Sequence, residues 1–248
     1  MASDPTAGVR VIALDTIGST NADALQRARA GERGPLWITA KQQTAGRGRR
    51  GRTWVSEPGN LYATLLLTDA APPERAAELS FVAALAVHDA VGARIPGLAA
   101  RLALKWPNDV LIDGNKFAGI LIEGEARAAA IGIGVNCVHH PAGTAFPATD
   151  LAAAGVRATP DSVFAALAPA MIGRLVQWNR GAGFAAIRTD WLKRAFALGG
   201  TIVVAAADGE RTGRFETIDE TGRMVLRRAD GTAETVTAGD VLPALAKA

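Results

Sequence analysis

The chain has 248 residues, which suffices for one large domain or for a medium domain followed by a small one. It is 49% hydrophobic and 21% charged, with a net charge of only +3, so nothing in the composition requires a polyanionic partner. The single cysteine, Cys137, excludes an internal disulfide and is typical of a reducing compartment. No apolar run of membrane-spanning length and no signal-peptide pattern occurs, so we expect a cytoplasmic protein that does not associate with membranes.

The first third of the chain predicts strands alternating with helices. An apolar strand at 9–14 is followed by a helix at about 21–30, which Ser19-Thr20-Asn21 opens and Gly31 closes. Two further strands are predicted at 36–43 and 60–67, and a second helix begins after the two prolines at 72–73.

The middle of the chain predicts closely spaced strands and then two helices. The strands are expected at 101–105, 110–112, 117–123 and 129–135, and Asp113-Gly114 marks a hairpin. A helix to about residue 178 is announced by a Thr159 cap and a proline at the first helical position, and another helix is predicted at 184–196.

The predicted secondary structure changes beyond Leu198-Gly199-Gly200. Short strands at 201–205, 213–218, 224–228 and 233–236 are separated by glycine-containing turns, which predicts a small β-barrel. We therefore expect a main domain at 1–197 and a barrel at 198–248. Because hairpins predominate over strict βαβ units, the fold class is α+β.

Residues 46–52 read GRGRRGR and lie between two predicted strands. Glycines let the backbone approach a ligand closely, and arginines offer planar forks that match phosphate oxygens. Arg/Gly runs also occur in disordered RNA-binding segments, so these residues alone leave a nucleic-acid-binding module open. The flanking strands and Trp54 favour an anchored loop that binds a phosphate ester and becomes ordered when the anion binds.

Four further polar segments lie at the ends of predicted elements: Ser19-Thr20-Asn21, KWPND at 105–109, Lys116 and GIGVN at 132–136. Each has an ordinary explanation as a helix cap, a turn, an exposed strand end or tight sheet packing. Lys116 is expected just across the hairpin from Asp109. The occurrence of all four together indicates a ligand site.

Together these segments resemble the biotin protein ligases, which activate biotin with ATP and attach it to a lysine of a carrier domain. The similarity runs in order through STN, QTAGRGRRGRTW, NLY, KWPND, KFAGILIE, GIGVN and AGDV at 238–241. It implies a mixed-sheet catalytic domain, related to lipoate ligases, followed by an SH3-like barrel. About ten residues precede the first predicted strand, so the resemblance is to the monofunctional type, and no sequence-specific DNA binding is expected.

The resemblance also implies the reaction and its partners. Biotin would attack the α-phosphate of MgATP, releasing pyrophosphate, and the biotinyl adenylate would then acylate a lysine of a biotin carboxyl carrier domain. A lipoate ligase remains the nearer alternative because it shares adenylation chemistry. The sequence leaves the oligomeric state open, with a homodimer as one alternative.

Roles for individual residues follow from the resemblance. Lys116 and Arg49 are implied in adenylation, and Asp109 is implied to orient or to deprotonate the acceptor lysine. The biotin-binding residues implied are Ser19, Thr20, Asn21, Gln43, Gly46, Arg47, Gly119, Gly132 and Gly134. Those implied for ATP or the adenylate are Arg47, Arg49, Arg52, Trp54, Lys116 and Asn136. No metal ligand is assigned beyond Mg²⁺ accompanying ATP.

Overall fold

A seven-stranded mixed sheet forms the centre of the larger part of the molecule. The computed structural model describes residues 8–69 and 72–243. The strands are β1 (Arg10–Ile17), β2 (Leu36–Gln43), β3 (Leu61–Thr68), β4 (Leu102–Lys105), β5 (Asp109–Ile112), β6 (Asn115–Glu125) and β7 (Ala128–Val135). Their order is β1-β2-β3-β7-β6-β5-β4. β1 and β2 run parallel, and each other neighbouring pair is antiparallel, which confirms the predicted mixed sheet.

Helices cover both faces of this sheet. They are α1 (Thr20–Arg29), α2 (Glu78–Gly92), α3 (Pro160–Trp178) and α4 (Phe184–Leu192). α1 is the crossover between the parallel strands and packs its apolar side against β2, β3 and β7. On the opposite face, α2 lies between the sheet and the pair α3 and α4 and is buried on nearly every side, because its sequence is almost wholly apolar.

Local signals explain several element ends. In the β5–β6 hairpin, Asp113 and Gly114 have φ of 48° and 77°, the left-handed geometry that the Asp-Gly pair predicts. Thr159 and Ser162 form a reciprocal capping box at the start of α3. α4 ends at Leu192, four residues before the predicted end at 196. The reason is tertiary: the backbone at 194–196 turns to pair with Leu104 of β4.

The C-terminal part is a five-stranded antiparallel sheet, which confirms the predicted α+β class. Its strands are β8 (Thr201–Ala206), β9 (Gly209–Ile218), β10 (Met224–Arg227), β11 (Ala233–Val236) and β12 (Asp240–Pro243), in the order β11-β10-β9-β8-β12. The prediction missed β12 and began β9 four residues late. β12 forms by pairing with β8, about 40 residues earlier in the chain, so no local periodicity marks it.

A buried tryptophan joins the two sheets. Trp106, in the KWPND turn between β4 and β5, is 2% exposed, and its indole Nε1 donates a hydrogen bond of 3.0 Å to the carbonyl of Gly222 in the β9–β10 turn. The ring of Phe81 from α2 lies against the same glycine, where an added Cβ would be only 2.8 Å from it. The C-terminal sheet is thereby fixed beside the turn that carries Asn108 and Asp109. Among the described residues, no helix is both long and apolar enough to cross a membrane.

Candidate active site

A cavity of about 600 Å³ lies at the ends of the central strands, between the larger sheet and the C-terminal sheet. Its size suits a small organic ligand joined to a nucleotide. All but one of the residues implied by the resemblance line it: Ser19, Thr20, Asn21, Gln43, Arg47, Arg49, Arg52, Trp54, Asp109, Lys116, Gly119, Gly132, Gly134 and Asn136.

Gly46 is the exception, since it does not line the cavity. Its carbonyl accepts from the backbone N–H of Trp54 at 3.0 Å. A Cβ at this position would lie 2.4 Å from the Trp54 carbonyl oxygen and 2.5 Å from Ser56 Oγ. Gly46 therefore allows the two ends of the arginine-rich loop (residues 46–52) to approach each other, and the structure gives it this backbone role.

One end of the cavity is built from a row of oxygen atoms. Asn21 Oδ1, Thr64 Oγ1, Thr20 Oγ1 and Gln43 Oε1 follow one another at separations of 2.7, 2.8 and 3.0 Å. The two amide oxygens only accept, because the Asn21 amide nitrogen donates to Leu121 O and the Gln43 amide nitrogen donates to Ser56 Oγ. The hydroxyls of Thr64 and Thr20 therefore supply two hydrogens for the three oxygen–oxygen contacts. One contact lacks a hydrogen, so this row of oxygens favours a ligand that brings N–H donors.

Glu123, at the end of β6, supports this oxygen row from behind. Its carboxylate accepts from the amide nitrogen of Asn21 at 2.9 Å and from Arg47 Nη2 at 3.1 Å. The first contact fixes which way the Asn21 amide faces, and the second holds Arg47 at the cavity wall. Glu123 therefore sets the orientation of two predicted biotin-binding residues.

Gly119 of β6 and Gly132 and Gly134 of β7 form a strip without side chains along the cavity. The side chains of Asn21 and Trp54 cover this strip. A Cβ on Gly132 would lie 2.4 Å from Asn21 Oδ1, and one on Gly134 would lie 2.6 Å from Trp54 Cε2. Gly119 lies under the same indole, where an added Cβ would be 3.0 Å from Cζ3. The strip thus accommodates Asn21 and Trp54. Within the described chain the buried Trp54 Nε1 has no hydrogen-bond acceptor, so a movement of the ring or a bound ligand can supply one.

Two lysines share the carboxylate of Asp109. Lys105 Nζ lies 2.7 Å from Oδ2, and Lys116 Nζ lies 2.5 Å from Oδ1. Lys105 and Asp109 face each other in the β4–β5 ladder, and Lys116 comes from the adjacent β6, as the hairpin predicted. Burial opposes ionisation of Asp109, yet Lys116 and Lys105 outweigh it and hold the pKa of the carboxyl at about 2. Such a carboxylate is suited to positioning cations and is a weak base.

The arginine-rich loop contacts the C-terminal sheet. Arg49 Nη1 donates to Asn108 Oδ1 at 3.1 Å, and its Nη2 donates to the carbonyl of Gly239 at 3.2 Å. Arg49, Arg50 and Arg52 all lie within 4 Å of the Asp240 carboxylate, at 3.7, 3.6 and 3.0 Å. Burial lowers the pKa of the Arg49 guanidinium, and the charge of Asp240 opposes that effect. Asp240 thus gives the loop a negative charge within the chain itself.

Sequence reasoning assigned no role to Thr64, Lys105, Asn108, Glu123 or Asp240, although each contacts a predicted site residue. Lys105, Asn108 and Asp240 lie in segments that were singled out as motifs, and Glu123 ends the KFAGILIE segment. Thr64 lies inside an apolar strand, where a buried threonine gives no signal of its own.

Comparison with known proteins identifies the family. Residues 15–138 match the model of the biotin/lipoate A/B protein ligase family, and residues 198–242 match that of the biotin protein ligase C-terminal domain. A biotin–[acetyl-CoA-carboxylase] ligase from Paracoccus denitrificans is 44% identical over 224 residues, which are 86% of this chain and 92% of the relative. The chain belongs to the biotin protein ligases of this family.

Solved structures support the fold of this ligase. A biotin protein ligase from Aquifex aeolicus in complex with biotin and ATP superposes with a TM-score of 0.78 at 25% identity, covering 94% of this chain and 97% of that one. A Leishmania major biotin protein ligase in complex with biotinyl-5-AMP gives a TM-score of 0.65 at 27% identity, with 92% and 99% covered.

Proposed function

We propose that the protein activates biotin with MgATP to biotinyl-AMP and pyrophosphate, and then transfers biotin to a lysine of a biotin carboxyl carrier domain. The observation that carries this proposal is one continuous cavity with acceptor oxygens on one wall and a cluster of lysine and arginine side chains on another. Biotin has the matching parts, a ureido ring with two N–H groups and a carboxylate.

The ureido ring fits the oxygen row. Its N–H groups meet the lone pairs that the row leaves without hydrogens, and Asn21 Oδ1 and Thr20 Oγ1 present those lone pairs at the cavity wall, because Gln43 Oε1 already accepts from both the backbone N–H and the hydroxyl of Thr20. A neutral polar group enters a dry pocket without penalty only if its hydrogen bonds are replaced, so this complementarity favours biotin. The lipoyl dithiolane ring has no N–H donor and leaves the row unsatisfied.

The cations serve the adenylation step. A carboxylate and a triphosphate repel each other, so attack on the α-phosphorus needs positive charge at the developing negative charge. Lys116 is 26% exposed and is free to reach both groups, while Arg47, Arg49 and Arg52 cover the nucleotide from the loop. Each charge-assisted hydrogen bond contributes about 1.5 to 3 kcal/mol. Trp54 and Asn136 complete the adenylate contacts.

Mg²⁺ enters this scheme as part of the substrate MgATP. Among residues 8–69 and 72–243, no group of three or more His, Cys, Asp or Glu side chains is arranged to hold a metal ion. Mg²⁺ commonly binds through nucleotide phosphates with few protein ligands, which fits a site rich in cations.

In the transfer step Asp109 orients the acceptor lysine. Its carboxylate already lies between two ammonium groups, so an incoming lysine amine meets an acceptor whose charge is held in place. We assign the catalytic machinery to a domain at 1–197 and the β-barrel to 198–248, with the barrel supplying Asp240 to the arginine-rich loop.

The test is turnover with biotin or lipoate, each with and without a carrier domain. The expected result is pyrophosphate release with biotin and ATP, followed by biotin on the carrier lysine. Lys116→Ala should abolish pyrophosphate release while the variant keeps its fold, because Lys116 is a partly exposed strand-end residue and Lys105 still pairs with Asp109. Equal turnover with lipoate would overturn the substrate assignment, and unfolding of the variant would make Lys116 structural.

A further inference from the structure

Lys105 is a buried cation that the proposed chemistry does not yet use. Its side chain is 4% exposed, against 26% for Lys116. Its Nζ lies 2.7 Å from Asp109 Oδ2 and 4.6 Å above the centre of the Phe146 ring, and Phe146 is stacked edge to face on Phe196. Both lysines border the cavity, but the ammonium of Lys105 is fixed from both sides, whereas the side chain of Lys116 is the more exposed of the two.

The two lysines hold different oxygens of one carboxylate. If Asp109 had Lys116 as its only partner, moving Lys116 onto a substrate would leave a buried carboxylate without a cation, which is strongly unfavourable. Lys116 would then be held on Asp109 instead of being available for the reaction. With Lys105 present, the group of three carries one excess positive charge, and Asp109 keeps a partner whichever way Lys116 moves.

We propose that Lys105 is a positioning residue for adenylation: its ammonium stays on Asp109, which leaves Lys116 free to move onto the biotin carboxylate and the α-phosphate. This inference rests on the proposed function. Lys105 acts through Asp109 and does not touch the substrate, because its ammonium is enclosed between Asp109 and Phe146.

The pH dependence of the reaction follows from the same arrangement. The charged groups facing Asp109 are Lys105 from β4, Lys116 from β6 and Arg49 from the arginine-rich loop. Burial raises the pKa of Asp109 and the lysines lower it. Without Lys105 the pKa of Asp109 rises, and protonation of this carboxyl releases Lys116, so kcat for pyrophosphate release by a Lys105 variant should move back toward the wild-type value as the pH falls.

The test compares the wild type with Lys105→Met and the double variant Lys105→Met/Asp109→Asn. Pyrophosphate release by the wild type tests the proposed function independently of Lys105. Lys105→Met should lower kcat at least about tenfold, with the KM for ATP within about threefold of wild type. The double variant removes the carboxylate that holds Lys116, so it should recover much of the lost kcat.

Three results would overturn the inference: unchanged kcat in Lys105→Met, a raised KM for ATP with kcat retained, or a double variant no faster than the single one. If Lys105→Met does not fold, the wild type bound to a non-hydrolysable biotinyl-adenylate analogue decides the question by crystallography. Lys116 should then contact the ligand while Lys105 stays on Asp109. Contact between Lys105 and the ligand would refute the positioning role.

Discussion

Arg52 Nη2 donates to Asp240 Oδ1 at 3.0 Å, so the arginine-rich loop is held by a carboxylate of the C-terminal sheet. The same carboxylate lies within 4 Å of Arg49 and Arg50. Four arginines on a glycine-rich loop repel one another, and an anion is needed to gather them. Asp240 supplies that charge in the absence of nucleotide, and substrate phosphates supply it during the reaction.

Replacing Asp240 should loosen the loop. In Asp240→Asn the amides of residues 46–52 should exchange hydrogen several-fold faster than in the wild type, because the arginines lose their shared counter-charge. Pyrophosphate should restore protection by supplying another anion. Asp230→Asn is the matched control, since Asp230 caps a turn of the same sheet through Thr232. Equal exchange in the two variants would show that Asp240 does not order the loop.

The glycine strip makes a second prediction. Gly134→Ala places a methyl group 2.6 Å from Trp54 Cε2, which must displace the indole. Overpacking of this kind costs about 1 to 3 kcal/mol of folding stability. Because the displaced indole is one of the proposed adenylate contacts, pyrophosphate release should also fall about tenfold or more. Gly124→Ala in the adjacent strand is the control, because its Cβ meets only the carbonyl of Ala128 at 3.6 Å. Similar activity of the two variants would mean that Trp54 moves freely.

The sequence predicts much of this architecture because its signals are local. Short apolar runs marked the strands of the larger sheet, Asp113-Gly114 marked the hairpin, and short motifs marked most of the residues that line the cavity, although not the segment at 141–148. What it missed depends on long-range pairing. Arg47 and Glu123 are 76 residues apart, and Arg52 and Asp240 are 188 apart, so no periodicity connects them. The early end of α4 has the same origin, since pairing with Leu104 overrides helical propensity.

Asp109 should make the free energy of unfolding depend on pH in the acid range. Its folded pKa of about 2 lies below the ordinary value of 3.8, so the ionised carboxylate favours the folded state. This contributes about 2 kcal/mol to the free energy of unfolding above pH 4, and it is lost as the pH falls toward 2. Urea unfolding of wild type and Asp109→Asn between pH 6 and 3 measures it. The difference in free energy of unfolding between wild type and Asp109→Asn should narrow below pH 4. A difference that stays constant would contradict the lowered pKa of Asp109.

We expect Arg49 to keep biotinyl-AMP bound in the site and to contribute less to its formation. Arg49 is 19% exposed and ties the loop to both Asn108 and Gly239, so Arg49→Gly releases the loop at two points and adds a flexible residue. Lys116 remains to support adenylation, so pyrophosphate release should continue. Biotinyl-AMP should leave early, because losses of this kind appear mostly in the off-rate.

The measurement is free biotinyl-AMP in the filtrate, together with biotin on surface lysines of an unrelated protein at saturating biotin and ATP. Arg50→Gly is the control, since Arg50 shares the ion pair with Asp240 at 3.6 Å and donates at 3.4 Å to the carbonyl of Ala205, but does not line the cavity. Arg49→Gly should exceed both wild type and this control in bystander labelling. Normal pyrophosphate release without that excess would mean that Arg49 does not cage the intermediate, and its two contacts would then serve to order the loop alone.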